Sequence, residues 1–515
     1  MASRNTAASL YQKWKSDRDP FLMRGRQCSE LTIPTLLPKE GYNGSTQLPT
    51  PWQSIGARGV NNLAAKMLMS LFPVNAPFFR YTIDDFALET LTQQEGMRGR
   101  VEEGLNKIER AVQSEVEGTA IRVSAFEALK QLVVVGNVLL YLPTEGGMRV
   151  FRLDRFVVRR DPMGNVLDII TEEEVALGTL PESIQEAVKQ DKADADDDCP
   201  VKIYTHVTRN QRNWKVYQEV AGQKVEGTEG SYPLDKSPWI PVRFTKVDGE
   251  DYGRSYVEEY LGDLKSLEGL MQAIVEGAAA AAKVLFLVNP NGVTDMDELA
   301  ASENGDFKEG MANDVSVLQL QKYNDFRVAK ESVDMLTERL SFAFLLNSAV
   351  QRNGERVTAE EIRFMANELE SALGGIYSIL SQELQLPLVK RIIYQMERQK
   401  RLPVLPSKAV KPVIVTGIEA LGRGNDFTKL NQFLQFAGLV AQLPPEVNKS
   451  DALTRGGTAL GMDMKGLILS QEELQAQQQQ QVMAAMAQQG INPAITQAGQ
   501  LMKQGMQNNA PQAQQ

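Results

Sequence analysis

The spacing of hydrophobic positions changes along the chain and divides it into regions. Over residues 101–136, apolar side chains such as Leu105 and Ile108 recur at intervals of three and four, which predicts helix. Short β-branched runs follow at 148–158 and 201–207, broken by Gly, Pro and Asp turn signals. The first 250 residues therefore predict a mixed α+β region.

From residue 255 the pattern becomes that of two long helices. One apolar seam runs over 255–283, formed by Tyr260, Leu264, Leu267, Met271, Ile274 and Ala278. A second helix is predicted near 327–346, with Val333, Leu336, Leu340 and Phe344 on one side. Strand-like runs at 284–287 and 315–320 lie between them, around the turn signal Pro290-Asn291-Gly292. Two helices bracketing a small β module fit this pattern, and so does a helical hairpin with a decorated tip.

After these helices the sequence predicts a loop and then further helices. Asn353-Gly354 is a turn former within 347–357, and Thr358 with Glu361 forms a capping box that starts a long helix. Gly374-Gly375 and Pro387 are the two places where that helix could bend. Helical patterns recur near 426–443 and 471–489.

The C-terminal end is of low complexity, with 16 Gln among its last 45 residues and almost no charge after Glu473. Such a composition predicts a segment that is helical at first and disordered toward Gln515. A merely solubilising tail is the alternative interpretation.

Composition bounds the class of protein. The 515 residues allow two to four domains, and 43% apolar with 23% charged residues is ordinary for a globular chain. Cys28 and Cys199 form no CxxC or Cys/His group, and the start of the chain has no signal-like apolar run.

No stretch reaches the roughly 20 uninterrupted apolar residues of a membrane span, so we expect no membrane association. The net charge of −10 argues against a general DNA-binding factor, and any contact with DNA should be local.

Candidate chemistry is scarce. His206 is the single histidine of the sequence, so zinc motifs that need two are excluded, and no phosphate-binding P-loop is present. Gly422-Arg423-Gly424 is a bare GxG, and the acidic run 194–198 lacks the Gly and Glu of a calcium loop. The sequence therefore predicts no catalytic residue, metal or cofactor. A metal-dependent nuclease with unrecognised ligands remains the enzymatic alternative.

Several long segments are distinctive in sequence, among them Thr50-Pro-Trp-Gln-Ser-Ile-Gly-Ala-Arg-Gly-Val-Asn-Asn-Leu-Ala and Tyr252-Gly-Arg-Ser-Tyr-Val-Glu-Glu-Tyr-Leu-Gly-Asp-Leu. They resemble the portal proteins, or head-to-tail connectors, of autographivirus-type short-tailed phages (podoviruses). Residues 126–143, 347–363 and 373–389 resemble the same family, in consistent order over about 10–430. The Gln-rich tail and the acidic loop near 191–198 match poorly.

The resemblance implies a fold that is α+β, mainly helical, and assembles as a dodecameric ring with wing, stem, clip and crown. The implied parts are a wing at 1–254 and 358–425, stem helices at 255–283 and 327–346, a clip at 284–326, a tunnel loop at 347–357, crown helices at 426–490 and a flexible Gln-rich tail at 491–515. Another ring-forming head–tail adaptor or tail component is the alternative.

Geometry is compatible with a ring that passes DNA. Twelve helices packed side by side, each about 10 Å across, form a circle with a circumference of roughly 120 Å. They leave a lumen about 28 Å in diameter, wide enough for a duplex about 20 Å across. Twelve copies of a chain with net charge −10 carry −120, which would repel phosphates from the bore.

Local DNA contacts are then expected in the tunnel loop. The candidates are Arg352 and Arg356, with Gln351 and Asn353 as uncharged neighbours, and pairing of the arginines with Glu355 and Glu360 is the alternative. Lys322 and Arg327 are weaker candidates for lining the channel.

The resemblance also implies partners and a location. The implied partners are double-stranded DNA, the terminase large subunit, a scaffolding protein, the major capsid protein, a tail adaptor or tail tube protein and internal core (ejection) proteins. The protein would be part of the virion, at the capsid portal vertex, after assembly in the host cytoplasm.

Overall fold

A computed structural model describes residues 6–73, 78–83, 97–144, 146–191, 196–281, 285–318, 323–346, 373, 375–403, 410–414, 422–441, 444 and 448–460. The chain folds as two units, Met1–Ala420 and Leu421–Gln515.

Helices and strands alternate along the first unit. The described helices are α1 (Ala7–Glu30), α2 (Ile55–Leu71), α3 (Met97–Gly118), α4 (Ile121–Val135), α5 (Glu182–Asp191), α6 (Tyr256–Glu259), α7 (Leu261–Ala281), α8 (Met296–Ala300), α9 (Tyr323–Ala343), α10 (Ile376–Leu380) and α11 (Leu386–Arg398). The described strands are β1 (Phe79–Ile83), β2 (Asn137–Tyr141), β3 (Arg149–Phe151), β4 (Phe156–Arg160), β5 (Val166–Ala176), β6 (Pro200–Arg209), β7 (Asn213–Val220), β8 (Gln223–Lys224), β9 (Gly230–Pro233), β10 (Trp239–Arg243), β11 (Leu285–Val288), β12 (Val315–Leu318) and β13 (Val410–Ile414). The predicted mixture of helices and strands is thus confirmed.

The strands pair antiparallel in separate sheets. One sheet has the order β4-β5-β6-β7-β8, with β9 also paired to β7, and a second has the order β10-β2-β3. Strands β11 and β12 pair with each other, and β1 pairs with β13 although they lie far apart in sequence. The predicted strand run at 201–207 lies within β6, next to β5.

The core of the unit is built around α4, whose residues from Ala128 to Val135 are almost all buried. The helix ends at Gly136, which has φ +79° and donates its N–H to Leu132 O at 2.9 Å. Glycine is required there because a Cβ would lie 2.6 Å from the Arg254 carbonyl carbon.

Asn137 follows Gly136 and exchanges two hydrogen bonds with Gly253. Its Nδ2 donates to the Gly253 carbonyl at 2.9 Å, and its Oδ1 accepts from the Gly253 N–H at 2.7 Å. A polar residue inside an apolar run is thereby satisfied, which buried amides require.

The helix predicted over 101–136 contains a break that its periodicity did not reveal. Helix α3 ends at Gly118 and α4 starts at Ile121, because Ala120 adopts a left-handed conformation with φ +53°. The strand run at 148–158 is likewise two strands, β3 and β4, separated by a 3-10 turn at Leu153–Arg155. In both places the apolar spacing persists while the backbone turns.

Helices α10 and α11 are joined by a π-helical turn at Ser381–Gln385. This turn directly precedes Pro387, one of the two bend positions predicted from the sequence. A proline lacks the N–H that would continue the helical ladder, so a local change of helix type is a natural accommodation. The part of the predicted long helix at 358–372 lies outside the described residues.

The π turn presents Glu383 to two buried arginines. The Arg243 side chain is 2% exposed, and its Nε donates to Glu383 Oε1 at 3.2 Å while its backbone N–H donates to Oε2 at 3.1 Å. Arg160 Nη2 lies 3.9 Å from the same carboxylate, and Arg160 also donates to the carbonyls of Asp251, Gly164 and Pro241. Burial lowers the pKa of Arg160 to about 10, which leaves it charged at neutral pH. Glu383 therefore joins the π turn to β4 and β10.

The second unit contains α12 (Gly422–Ala441) and α13 (Lys449–Ala459). Asn448 caps α13 by accepting the N–H of Asp451 at 3.2 Å, and a Cβ at Gly456 would clash with the Phe436 ring. The helix predicted near 426–443 matches most of α12. The pattern at 471–489 and the tail at 491–515 lie outside the described residues.

Candidate DNA-channel segment and its supporting helices

Helices α7 and α9 form an antiparallel pair. At one end, Arg339 Nη2 of α9 lies 3.0 Å from Asp263 Oδ2 near the start of α7. At the other end, the Phe326 ring of α9 packs so closely on Gly277 that a Cβ there would lie 2.7 Å from it. The two predicted helices therefore exist with different bounds: the second spans Tyr323–Ala343 instead of 327–346, and the first is interrupted near its start. Tyr260 separates the short α6 from α7, so the range 255–283 is not one continuous helix.

Burial of the predicted apolar seam fades along α7. Leu264 and Leu267 are 0% and 2% exposed, Met271 and Ile274 are half-buried, and Ala278 is exposed. Along the seam of α9 the order is reversed, since Leu336, Leu340 and Phe344 are buried whereas Val333, nearer its start, is half-buried. The pair is therefore embedded in the core at one end and uncovered at the other.

The insert between the two helices has a polar interior and an apolar exterior. Strands β11 and β12 pair from Leu285 opposite Leu318 to Val288 opposite Val315. The Asp314 carboxylate fixes the adjoining turn by accepting the N–H groups of Val293 and Thr294 at 2.9 and 3.2 Å. Among the insert residues whose exposure is described, Asp314 alone is buried. Its exposed large apolar side chains are Phe286, Leu287, Val293, Met296, Leu299, Phe307 and Met311.

At its C-terminal end, α9 is capped by side chains from other helices. Tyr256 Oη donates to Ala343 O at 2.7 Å, and Asn62 Nδ2 donates to Phe344 O at 2.9 Å and to Leu345 O at 3.0 Å. Lys66 Nζ also donates to Leu345 O, at 2.9 Å. Carbonyls at a helix end have no partner within the helix, and three consecutive carbonyls here accept from side chains of α2 and α6.

The backbone at this end is strained and tightly packed. Leu345 adopts a left-handed conformation with φ +53°, where Gly is usual, and Leu346 N donates back to Ser341 O at 2.8 Å. The Phe344 ring lies directly on α2, where a Cβ at Gly59 would be 2.4 Å from its Cγ. The segment 50–64 that carried part of the family resemblance thus has a structural role, because it supplies the helix surface on which α9 ends.

An aromatic cluster adds to this junction. The rings of Tyr256 and Tyr260 lie 5.2 Å apart, and each lies 6.1 Å from the ring of Phe344. Burial, together with the neighbouring Tyr260 hydroxyl, raises the pKa of Tyr256 well above its usual range. The Tyr256 hydroxyl therefore stays protonated and remains a donor to Ala343 O.

Of the predicted site residues, Arg327 alone lies within the described part of the chain. It sits in the first turns of α9 with its side chain 65% exposed, and its Nε is 4.0 Å from Glu331 Oε1. Gln351, Arg352, Asn353, Arg356 and Lys322 lie outside the described residues. Their assignment to the tunnel loop and channel stays a prediction.

Asn62 and Lys66 were not predicted from the sequence. They are four residues apart and therefore lie on one face of α2. From the sequence alone, two polar residues at this spacing indicate a helix face in contact with solvent. Both reach a segment about 280 residues away. The signal in the sequence was limited to Asn62, which lies within the segment 50–64 of family resemblance, whereas Lys66 lies two residues beyond it.

Two features are absent from the described part of the chain. No helix in this part is long and apolar enough to cross a membrane. Within the same ranges, no three His, Cys, Asp or Glu side chains lie together as a group that could hold a metal ion.

Known proteins resemble this chain over nearly its whole length. The family model described as "Bacteriophage head to tail connecting protein" matches residues 4–468. The portal protein of Escherichia phage T7 is 46% identical over 486 residues, which cover 93% of this chain and 90% of the relative. The portal protein of Enterobacteria phage T3 is 44% identical over 96% of this chain and 93% of its own. The portal protein of Pseudomonas phage phiKMV is 32% identical, with coverages of 94% and 96%.

A solved structure also resembles the fold at low identity. A chain in the neck of an empty GTA particle computed with C6 symmetry is 11% identical, with a TM-score of 0.39 over 84% of this chain and 94% of that chain.

The family model and the portal-protein relatives define the class of protein as a phage head–tail connector. The chain belongs to the bacteriophage head to tail connecting protein family, together with the portal proteins of phages T7 and T3.

Proposed function

We propose that this protein is the subunit of a dodecameric ring at one capsid vertex, through which double-stranded DNA is packaged and later ejected. The observation that carries the proposal is the 46% identity to a portal protein over 93% of the chain. The proposed parts are the wing, stem helices, clip, tunnel loop and crown at the bounds implied by the family resemblance.

The uncovered end of the α7–α9 pair supports assembly with other subunits. Val328 is 59% exposed there, and the strand-bearing insert carries further exposed apolar side chains with little interior of its own. A two-stranded sheet is marginally stable alone, so such an insert gains stability when neighbouring chains cover it. In the proposed ring those neighbours are further copies of this chain.

The proposed partners follow from the position at the vertex. They are the major capsid and scaffolding proteins during assembly, the terminase large subunit during packaging, and a tail adaptor or tail tube protein afterwards, with internal core proteins inside the head. Assembly takes place in the host cytoplasm, and the finished ring belongs to the virion.

Contact with DNA is proposed to be local and weak. A ring of acidic chains repels phosphates, so DNA slides through the bore, and the cationic side chains of Arg352 and Arg356 contact it in the tunnel loop. Gln351 and Asn353 are proposed as uncharged contacts, and Lys322 and Arg327 as channel-lining residues.

Ring formation is testable by negative-stain electron microscopy of the purified full chain. We expect rings with a central channel and the twelve-fold symmetry that the family resemblance implies, because heterologous contacts close into a ring when the rotation between neighbours closes. Monomers over a wide range of protein concentration would contradict the proposal. Closed rings with a different symmetry would contradict the dodecamer.

Reversing the charge of Arg356 is expected to impair DNA packaging or retention while rings still form. The variant Arg356→Glu places a carboxylate where phosphates pass, and the contact becomes repulsive. Packaged DNA is measured as nuclease-protected genome per particle. Arg212→Glu, an exposed charge reversal between β6 and β7, serves as the control. Normal packaging and retention by Arg356→Glu would remove the proposed role of this residue.

A further inference from the structure

The end of α9 is held by a cap that spans distant parts of the chain. Asn62 and Lys66 of α2 donate hydrogen bonds to the carbonyl oxygens of Phe344 and Leu345. These two residues lie just before the segment 347–357, which is proposed to contact DNA. Helices usually end on Gly, whose backbone adopts the left-handed conformation without strain. Here Leu345 adopts that conformation, and the strain persists only because its surroundings hold it.

We propose that Asn62 and Lys66 are positioning residues that set the direction in which the chain leaves α9 and enters residues 347–357. The proposal rests on the function proposed above, since it gives this pair a role in placing the DNA-contacting segment. This role would explain why two polar residues of α2 face the end of α9, a helix far away in sequence.

The chemistry of Asn62 suits this task because one amide NH2 group can donate two hydrogen bonds at once. Its Nδ2 lies 2.9 and 3.0 Å from the carbonyl oxygens of consecutive residues, so it fixes the relative orientation of two peptide planes. A carboxylate of the same shape has no hydrogen to donate. Asn62→Asp would set a negative charge against two carbonyl oxygens, and the carbonyls of Phe344 and Leu345 would each lose the hydrogen bond from residue 62.

Lys66 adds a positive charge at the C-terminal end of α9. The residue is 6% exposed, and its ammonium lies 2.9 Å from Leu345 O. A cation at this end of a helix interacts favourably with the helix dipole. Lys66→Met would keep the apolar stem of the side chain and remove the donor, whereas Lys66→Arg would keep a donor and the charge.

The packing beneath the cap does not depend on these polar groups. Leu340 and Phe344 are fully buried in the core together with Val60 and Leu63 of α2. Loss of the cap should therefore alter the exit direction of the chain while α2 and α9 stay packed. This separates a positioning role from a general role in folding.

The test compares Asn62→Asp and Lys66→Met with Asn61→Asp and Lys66→Arg in the full chain. Asn61→Asp makes the same chemical change at the preceding residue of α2, whose side chain is exposed. Two quantities are measured besides ring formation and unfolding temperature. One is the rate of tryptic cleavage after Arg352 and Arg356, followed by mass spectrometry, and the other is nuclease-protected genome per particle.

We expect a change of at least threefold in the cleavage rate and about a tenfold loss of protected genome in Asn62→Asp and Lys66→Met. Asn61→Asp and Lys66→Arg should behave like the unmodified protein, and all four variants should form rings. An unchanged cleavage rate would overturn the inference, and so would a loss of rings with a fall in unfolding temperature that Asn61→Asp does not show. A changed cleavage rate with full DNA retention would support the positioning role and contradict the proposed DNA contact.

Discussion

Replacing Glu383 by alanine is expected to lower the free energy of unfolding by about 3 kcal/mol, since it leaves Arg243 buried without its carboxylate. Removing one partner of a buried ion pair typically costs 3–5 kcal/mol. We expect the lower end because the Glu383 side chain is 19% exposed and water can partly replace it. Arg160 loses the same neighbour and adds to the effect.

Urea denaturation of the purified protein measures this change as a shift of the midpoint. Gln382→Ala is the matched control, because Gln382 lies in the same π turn with an exposed side chain. Adding Arg243→Met to Glu383→Ala should restore part of the stability by removing the unpaired charge. Equal midpoints for Glu383→Ala and Gln382→Ala would show that the network does not stabilise the fold.

Gly59→Ala is expected to lower the free energy of unfolding by about 2 kcal/mol, within the range typical of overpacked cores. The new Cβ would lie 2.4 Å from Phe344 Cγ and 2.8 Å from Phe344 Cβ, so both α2 and the end of α9 must shift. This result opposes helix propensity, which favours Ala over Gly inside a helix by up to about 1 kcal/mol. The sign of the change therefore separates packing from propensity.

Gly104→Ala provides the comparison for Gly59→Ala. Gly104 lies inside α3, and a Cβ there meets no atom within 4 Å, so the substitution should leave stability unchanged or raise it. In the double variant Gly59→Ala with Phe344→Leu, the smaller side chain should relieve part of the clash. If Gly59→Ala proved as stable as Gly104→Ala, the close contact with Phe344 would be disproved.

Periodicity predicted the α7–α9 pair because both helices carry their apolar residues on one side. It did not predict that Leu264 is buried and Ala278 exposed, since both fit the same seam. Burial along a helix depends on what packs against it, and spacing of three and four contains no information on that. In the proposed ring, neighbouring copies of the chain would cover the exposed half of the pair.

The sequence indicates only features of the candidate site that are local, such as the turn at Asn353-Gly354, which lies outside the described residues and stays a prediction. Asn62, Lys66 and Glu383 act on residues 140 or more positions away. No local pattern identifies such partners, and a polar residue on a helix usually contacts solvent. The break at Ala120 was missed because the left-handed conformation is unfavourable for alanine, so its own preference does not indicate a turn there.

The pairing of β1 with β13 has a consequence for synthesis on the ribosome. Phe79 to Ile83 must find Val410 to Ile414, which emerge more than 300 residues later. At about 5–20 residues per second, the earlier strand waits on the order of half a minute for its partner. Phe79, fully buried in the finished fold, is exposed or bound elsewhere during that time. Nascent chains crowded on one message are therefore at greatest risk of associating through this strand before residue 414 is made.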